Sequence, residues 1–319
     1  MKETTFGVSQ FINYLESKNH SKGTQELCLK CVKRFFKWAQ KEDIQITKPD
    51  MLAYLEYLKN TQKLGNQSRK LHLQAINHYF TFLCQSEQIS VNPCLFLKIR
   101  GTKRKTLYKI YTPEQMNELF DNYYQIFVRT YDCSHLPKNL QQQTKLGRER
   151  NAVILSFLIY QKTALGEMEK IELNDIDLIK ASVKIKGARR ANDRVLPLNA
   201  SQIGLTMNYL QNVRPKIAEY QAKESEKLFL SLPSGIGKKA QNGTLTDIFS
   251  IITEQLKTID KQFVSFKQIR ASMVSYWIKT QGLRKAQYLA GHRYISSTEN
   301  YLPNNLDELK DDINKLHPF

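Results

Sequence analysis

Near the C-terminus the chain reads LAGHRYISSTENYLP, which sets His292 and Tyr301 nine residues apart on either side of a hydroxyl-rich turn. An imidazole and a phenol can each donate or accept a hydrogen bond and carry a proton. Ser296 followed by Glu299 is a capping-box spacing, so a helix is expected to start at Ser296 or Ser297. Pro303 disfavours helical geometry at Leu302, so that helix should be short. Tyr301 then falls about one turn into it, and His292 lies before it, beside Gly291. A backbone reversal there could bring both polar tips to one cleft. Ordinary packing or surface placement would account for the same two residues equally well.

The rest of the chain bounds what such a cleft could act on. With 319 residues there is room for two domains, and a hydrophobic fraction of 41% is ordinary for a globular protein. No run approaches the ~18 apolar residues of a membrane span. The start, MKETTFGVSQFINYLESKN, has no uninterrupted apolar stretch of the kind a signal peptide needs, so a cytoplasmic protein is expected. Five cysteines have no framework spacing. Cys28 and Cys31 form a CxxC without a second Cys or His pair, and they share an apolar helical stripe with Leu27, Val32, Phe35 and Ala39, which reads as buried core thiols.

Charge is more telling. The chain carries 48 Lys and Arg against 30 Asp and Glu, a net +18. Residues 1–110 hold 19 of the basic and 8 of the acidic residues, so 19 − 8 = +11 sits in the first third. Such an excess points to a polyanionic partner. The basic residues are not gathered on one amphipathic terminal helix, so nucleic acid fits better than a membrane surface.

Periodicity predicts about four helices in that first third. A short one carries Phe11, Ile12 and Leu15. Thr24 to Lys41 follows, with Lys30, Lys33, Arg34 and Lys37 off its apolar stripe. Pro49 to about Gln62 is the third, and Asn66 to about Glu87 the fourth. The fourth opens NQSRK, where Ser68, Arg69 and Lys70 meet backbone N–H groups that already favour phosphate. After Asn92–Pro93 comes KIRGTKRKTLYKIY, with six Lys or Arg between Lys98 and Lys109, among them Lys103, Arg104 and Lys105. It reads as a DNA-tracking strap or, more plainly, a solvated linker. Thr112-Pro-Glu-Gln restarts a helix, which sets domains of 1–97 and 111–319 joined by 98–110. Tyr131 to Gly147 is polar and reads as an inserted loop, and Asn151 to Leu173 as a helix. SVKIK and RVLPL are short strands around the turn GARRAND, which carries Arg189 and Arg190. Helix is expected over Lys267–Lys279 and in the tail carrying Leu306, Leu309, Ile313 and Leu316. The fold class is mainly α with one small sheet.

The stretch FKQIRASMVSYWIKTQGLRKAQYLAGHRYISSTENYL resembles the C-terminal signature of the tyrosine recombinases, the phage-integrase and Xer-like family. That family has an HxxR box, a Gly-bounded helix pair, an LGH box and a tyrosine nine residues after the histidine. Here the boxes read Lys267-Gln-Ile-Arg270, Gly282-Leu283, Leu289-Ala-Gly-His292 and Tyr301, and the likeness extends to the RVLPL hairpin and the helical first third. The resemblance implies an N-terminal four-helix core-binding (SAM-like) domain and a mostly helical catalytic domain with a small antiparallel sheet. It implies a site-specific recombinase or integrase in which Tyr301 attacks a DNA phosphate to form a 3′-phosphotyrosyl link. Arg270 would grip two phosphate oxygens with its planar fork. His292 would donate to another oxygen or assist proton transfer. Lys267 holds the box position usually given to His. The hairpin lysine that protonates the leaving hydroxyl is Lys186 when aligned on the first strand; aligned on the second, the place falls to Arg189, a poor proton donor at neutral pH.

One position departs from the family. Where a TGLR-like run carries an arginine, this chain reads TALGEME, with Gly166 in the arginine's place. Arg189 or Arg190 could reach in from the hairpin, a partner or DNA could complete the site, or cleavage could be lost while DNA binding is kept. The resemblance further implies duplex DNA as partner and two domains clamping it. It implies a monomer in free solution and a homotetramer on two DNA sites, the tail docking on a neighbouring protomer or folding back on its own domain. No metal or nucleotide cofactor is expected, because the phosphotyrosyl bond stores the energy for rejoining. A mobile-element enzyme in the cytoplasm, associated with the nucleoid, is the favoured role. A cleavage-deficient DNA-binding paralogue is the alternative, and a relaxing topoisomerase a third.

Overall fold

A computed structural model describes residues 7–101, 109–187, 191–233 and 245–302. The chain divides into two compact units, residues 1–106 and 107–319. In the first, α1 (Val8–Ser17), α2 (Lys22–Ala39), α3 (Lys48–Asn60) and α4 (Asn66–Gln85) form a bundle, close to the spans that periodicity predicts. Each helix turns an apolar stripe inward. Leu15, Phe35, Met51, Tyr54, Leu58, Ile76 and Phe80 are fully buried, and the Phe35 and Tyr54 rings meet edge to face with centroids 5.0 Å apart. The Tyr54 hydroxyl contacts His72 Nδ1 at 3.1 Å, so the phenol end of this core residue is not left dry. Cys28 and Cys31 lie in the same core, and burial pushes the Cys28 thiol up to about 11.

The second unit is built around α6, Lys138–Tyr160. All eight residues from Ala152 to Ile159 are buried, so this half of the helix is enclosed on every side. The expected loop over 131–147 and the expected helix from Asn151 are therefore corrected: α6 begins at Lys138. Its polar first half has good helix formers in Gln141 to Gln143 and propagates from the buried half. Arg148 also ties it down by donating to the Phe127 carbonyl at 2.9 Å. Nor does the helix run on to Leu173. Lys162 takes a left-handed φ of 52°, and a separate short α7 (Leu165–Met168) follows.

Before α6, α5 (Pro113–Tyr124) opens with the capping box read from Thr112: its hydroxyl accepts from Gln115 N at 3.2 Å, and Gln115 accepts from Thr112 N at 3.0 Å. The sheet is antiparallel in the order β1 (Ile176–Asp177), β2 (Ser182–Ile185), β3 (Arg194–Pro197). Val183 pairs with Leu196 and Ile185 with Arg194; Val183, Ile185 and Leu196 point into the core. The two longer strands match the sequence reading, whereas β1 is too short to leave a period-2 pattern. Then come α8 (Ala200–Asn208), α9 (Arg214–Ala218), α10 (Leu245–Ile259), α11 (Phe266–Ala290) and α12 (Ile295–Glu299). Gly282 interrupts α11 with φ 78° and ψ 164°, a conformation that suits glycine and marks the join of two helical halves. The N-cap of α12 is Tyr294, without a side-chain cap, so the expected Ser296 start is displaced upstream. The expected tail helix, residues 103–105 and the hairpin arginines Arg189 and Arg190 lie outside the described residues.

Phe157 has no exposed surface, whereas Ile179 is 99% exposed. Urea denaturation should show Phe157→Ala losing about 3–5 kcal/mol of stability, and Ile179→Ala staying within about 0.5 kcal/mol of the parent.

Candidate active site

Arg270 sits in the second turn of α11, and the two helix ends that flank it supply its partners. Nη1 donates to the Lys162 carbonyl at 2.5 Å, where the left-handed turn after α6 aims that oxygen inward. Nη2 donates to the Ala290 carbonyl at 2.6 Å, one of the free acceptors at the end of α11. Guanidinium has five N–H donors, so these bonds orient the fork without exhausting it. The Arg270 side chain keeps 19% of its surface exposed.

Behind Arg270 lies a buried ion pair. Arg194, the first residue of β3, bonds Glu167 of α7 through two contacts of 2.8 and 3.1 Å, and the side chains are 0% and 4% exposed. The same Glu167 carboxylate accepts from Ala164 N at 2.8 Å and stands 3.9 Å from Arg270 Nη1. Burial alone would push this carboxyl up, but the Arg194 bonds, the Ala164 N–H and Arg270 together hold it below its ordinary range. Arg194 also explains Gly291. A Cβ on that residue would lie 2.3 Å from Arg194 Nη1, and its φ is 70°. The Gly291 carbonyl accepts from Asn192 N at 2.9 Å, and Ala191 bridges His292, so the return of the hairpin is clipped to the histidine loop.

His292 is fixed on both ring nitrogens. Nδ1 is 2.9 Å from the hydroxyl of buried Thr298, and Nε2 is 3.5 Å from Arg270 Nη2. Arginine offers only donors, so that contact places the ring proton on Nδ1. Burial, then Arg270 and Arg194, push the imidazole down to about 4, with Glu167 opposing. Tyr301 lies beside it, the two rings nearly parallel at 10° with centroids 5.8 Å apart. Its amide donates to the Thr298 carbonyl at 2.9 Å, and its carbonyl accepts from Ser275 Oγ at 3.2 Å. Arg270, His292 and Tyr301 are thus brought together.

Lys267 is exposed one turn before Arg270. Lys186 is engaged by acids: Nζ is 2.5 Å from Glu172 and 3.2 Å from Asp175, and those partners raise its proton affinity. Gly166 is exposed on α7, and a Cβ there would meet nothing within 4 Å. Among the expected DNA contacts, Lys33, Lys37 and Ser68 are exposed, and Lys70 is half-buried. Arg34 donates to the Gln62 side chain, and Arg69 to Asn66 Oδ1 at 2.7 Å. Sequence reasoning missed Glu167, Arg194 and Thr298; each is an ordinary polar residue within a quoted stretch, and only its burial marks it.

A profile described as the phage integrase family matches residues 130–308, more than half of the chain, and one described as the phage integrase N-terminal SAM-like domain matches residues 8–89. The chain belongs to the phage integrase family of tyrosine recombinases. Among its relatives is the tyrosine recombinase XerC of Anoxybacillus flavithermus, 23% identical over 100% of this chain and 99% of that protein. The TnP I resolvase of Bacillus thuringiensis is 26% identical over 70% of this chain and 72% of its own length. In fold, the chain is similar to the XerH site-specific recombinase bound to a palindromic difH substrate in a post-cleavage complex. That TM-score is 0.64 at 14% identity, over 94% of this chain and 82% of that one. The Tn1549 transposon integrase in complex with transposon right end DNA gives 0.61 at 13% identity, over 97% and 98%. Among the described residues no helix is long and apolar enough to cross a membrane.

Removing one partner of the Arg194–Glu167 pair leaves a buried charge, so Arg194→Met should cost about 3–5 kcal/mol in denaturant unfolding, with Glu167→Gln changing in the same direction. His292 binds its proton less readily folded than unfolded. Its contribution to stability is therefore full above the ordinary pKa of about 6.5 and lost as pH falls toward about 4. An NMR titration should find the His292 ring still neutral at about pH 5.

Proposed function

We propose that the chain is a site-specific DNA recombinase that cleaves and rejoins duplex DNA through Tyr301. The convergence of Arg270, His292 and Tyr301 carries this reading. The Tyr301 phenol oxygen attacks the scissile phosphorus, its proton leaves to solvent or a neighbouring base, and the bond to the 5′ oxygen breaks. Arg270, whose fork is already aimed by two carbonyls, binds two non-bridging oxygens as negative charge develops. His292, neutral before DNA binds, gains proton affinity when a phosphate approaches and then donates to it. Lys267 adds a cation on the same helix. Lys186 protonates the leaving 5′ oxygen once its ammonium exchanges Glu172 and Asp175 for DNA.

Gly166 takes the place of the first arginine in the TGLR-like run, and Arg189 or Arg190 of the hairpin supplies the absent guanidinium in this reading. Lys33, Arg34, Lys37, Ser68, Arg69, Lys70 and the basic segment with Lys103, Arg104 and Lys105 hold the DNA backbone. The domains are 1–97 and 111–319, with 98–110 as the strap between them. Four protomers act on two DNA sites from a monomeric pool, and the tail from Leu306 to Leu316 docks between protomers. The TnP I resolvase and the Tn1549 transposon integrase among the relatives favour a mobile-element role.

A duplex with a nick next to the cleavage site decides the chemistry. Wild-type protein should form a covalent adduct that is stable in detergent and absent in Tyr301→Phe. Duplex retardation without any adduct would favour the cleavage-deficient DNA-binding paralogue, and relaxation of supercoils without sequence preference a topoisomerase. If a hairpin arginine fills the gap, Arg189→Ala or Arg190→Ala should lower the adduct rate by about 10²–10³, the usual effect of one lost oxyanion donor. Binding should weaken steeply between low and moderate salt as counterions are released from phosphate.

A further inference from the structure

Lys162 is the most unusual cation among the described residues. It is 3% exposed, and none of the ion pairs among the described residues includes it. Its ammonium has three donors, and Nζ finds the Tyr160 carbonyl at 3.3 Å. The Tyr160 and Trp277 rings each lie 5.9 Å from Nζ, a cation–π arrangement. Burial pushes the amine down to about 7. A simple structural role would be served as well by methionine or leucine, which fill such a place without the desolvation of a charge.

Lys162 lines a cavity of about 460 Å³ in the second unit. That is within the ~300–1,000 Å³ range of small-molecule sites. Its walls are mostly apolar, with Tyr160, Trp277, Met273 and Leu289 among them, and Lys285 stands at its edge. Two lysines line it and no carboxylate does, among the described residues. The chemistry of the lining therefore matches one class of occupant: an apolar or aromatic body carrying a single negative charge. A fully apolar ligand would leave the buried ammonium no better satisfied, and a polyanion would find no further donors beyond Lys162, Lys285 and neutral amides.

We propose that this cavity binds a small amphipathic organic acid, its carboxylate on Lys162 and its apolar body between Tyr160, Trp277 and Met273. The site is coupled to the catalytic centre by a short path. The same Lys162 that lines the cavity gives its backbone carbonyl to Arg270 Nη1. An acid held on the ammonium fixes the left-handed turn and with it the acceptor that aims Arg270. Occupancy then raises the fraction of protein with a preorganised arginine and accelerates phosphotyrosyl formation. This second half rests on the recombinase reading; the binding half does not.

Isothermal titration calorimetry on the full-length protein tests the site with 3-phenylpropionate, indole-3-propionate and octanoate, each beside its uncharged amide. At least one acid should bind with saturation at one per chain and about tenfold or more tighter than its amide, the ratio that one modest charge-assisted contact gives. Lys162→Met keeps an unbranched side chain, one heavy atom shorter and without the ammonium, and should abolish the preference for acid over amide. Lys285→Gln should weaken it without abolishing it, and circular dichroism verifies that both variants are folded. Absence of saturable heat from all three acids, or equal binding of acids and amides, overturns the site. The nicked-duplex assay with the bound acid tests the coupling: adduct formation should rise by about threefold or more, and an unchanged or slower rate overturns the coupling while leaving the binding result intact. If no adduct forms under any condition the recombinase reading fails, and calorimetry still decides the cavity.

Discussion

A single buried carboxylate is the constraint on which the second unit turns. Glu167 lies 4% exposed between Arg194 and Arg270, and it also accepts the amide of Ala164 at the start of its own short helix. A carboxylate at such depth is stable only with geometry this complete, because desolvation of one ion costs several kcal/mol. Satisfying it brings α7, β3 and α11 to one point. Arg194, drawn inward to meet the carboxylate, then leaves room for only a glycine at position 291, and the left-handed turn of Gly291 delivers His292. The placing of Arg270 and His292 is in this sense a consequence of how one negative charge is kept underground.

The charge arrangement that results is prepared for an anion. Two guanidinium groups share one carboxylate, so positive charge is in excess around His292 even before a phosphate arrives. Burial first, and that excess after it, hold the proton affinity of the imidazole down. Lys186 shows the opposite condition. Glu172 and Asp175 hold its ammonium charged and occupied.

The first unit obeys different physics. Its interior is aromatic, with Tyr54, Phe35, Phe80 and Tyr79 in successive ring contact, and its basic side chains lie off the apolar stripes. Lys33 and Lys37 are exposed on α2, opposite Cys28, Cys31 and Phe35 in the core. Such a helix carries both fold and charge because 3.6 residues per turn segregate the two by position.

That segregation is why the helices of the first unit were legible in the sequence almost to their ends, and why the Thr112 cap and the two longer strands were too. Boxes of fixed spacing likewise singled out Arg270, His292 and Tyr301, since local chain order alone sets those intervals. The polar opening of α6 was not legible, because its helical state follows from the buried half it extends and from Arg148 reaching the Phe127 carbonyl. Nor were Glu167, Arg194 and Thr298, whose types are unremarkable and whose roles depend on partners 27 residues away for the ion pair and six for the histidine contact. The left-handed Lys162 left no signal at all, since lysine is a poor choice for that conformation and only tertiary contacts stabilise it there. Sequence by itself determined which residues could meet a phosphate and which faces are apolar; tertiary structure decided which charges are dry, because desolvation exists only once other parts of the chain have displaced the water.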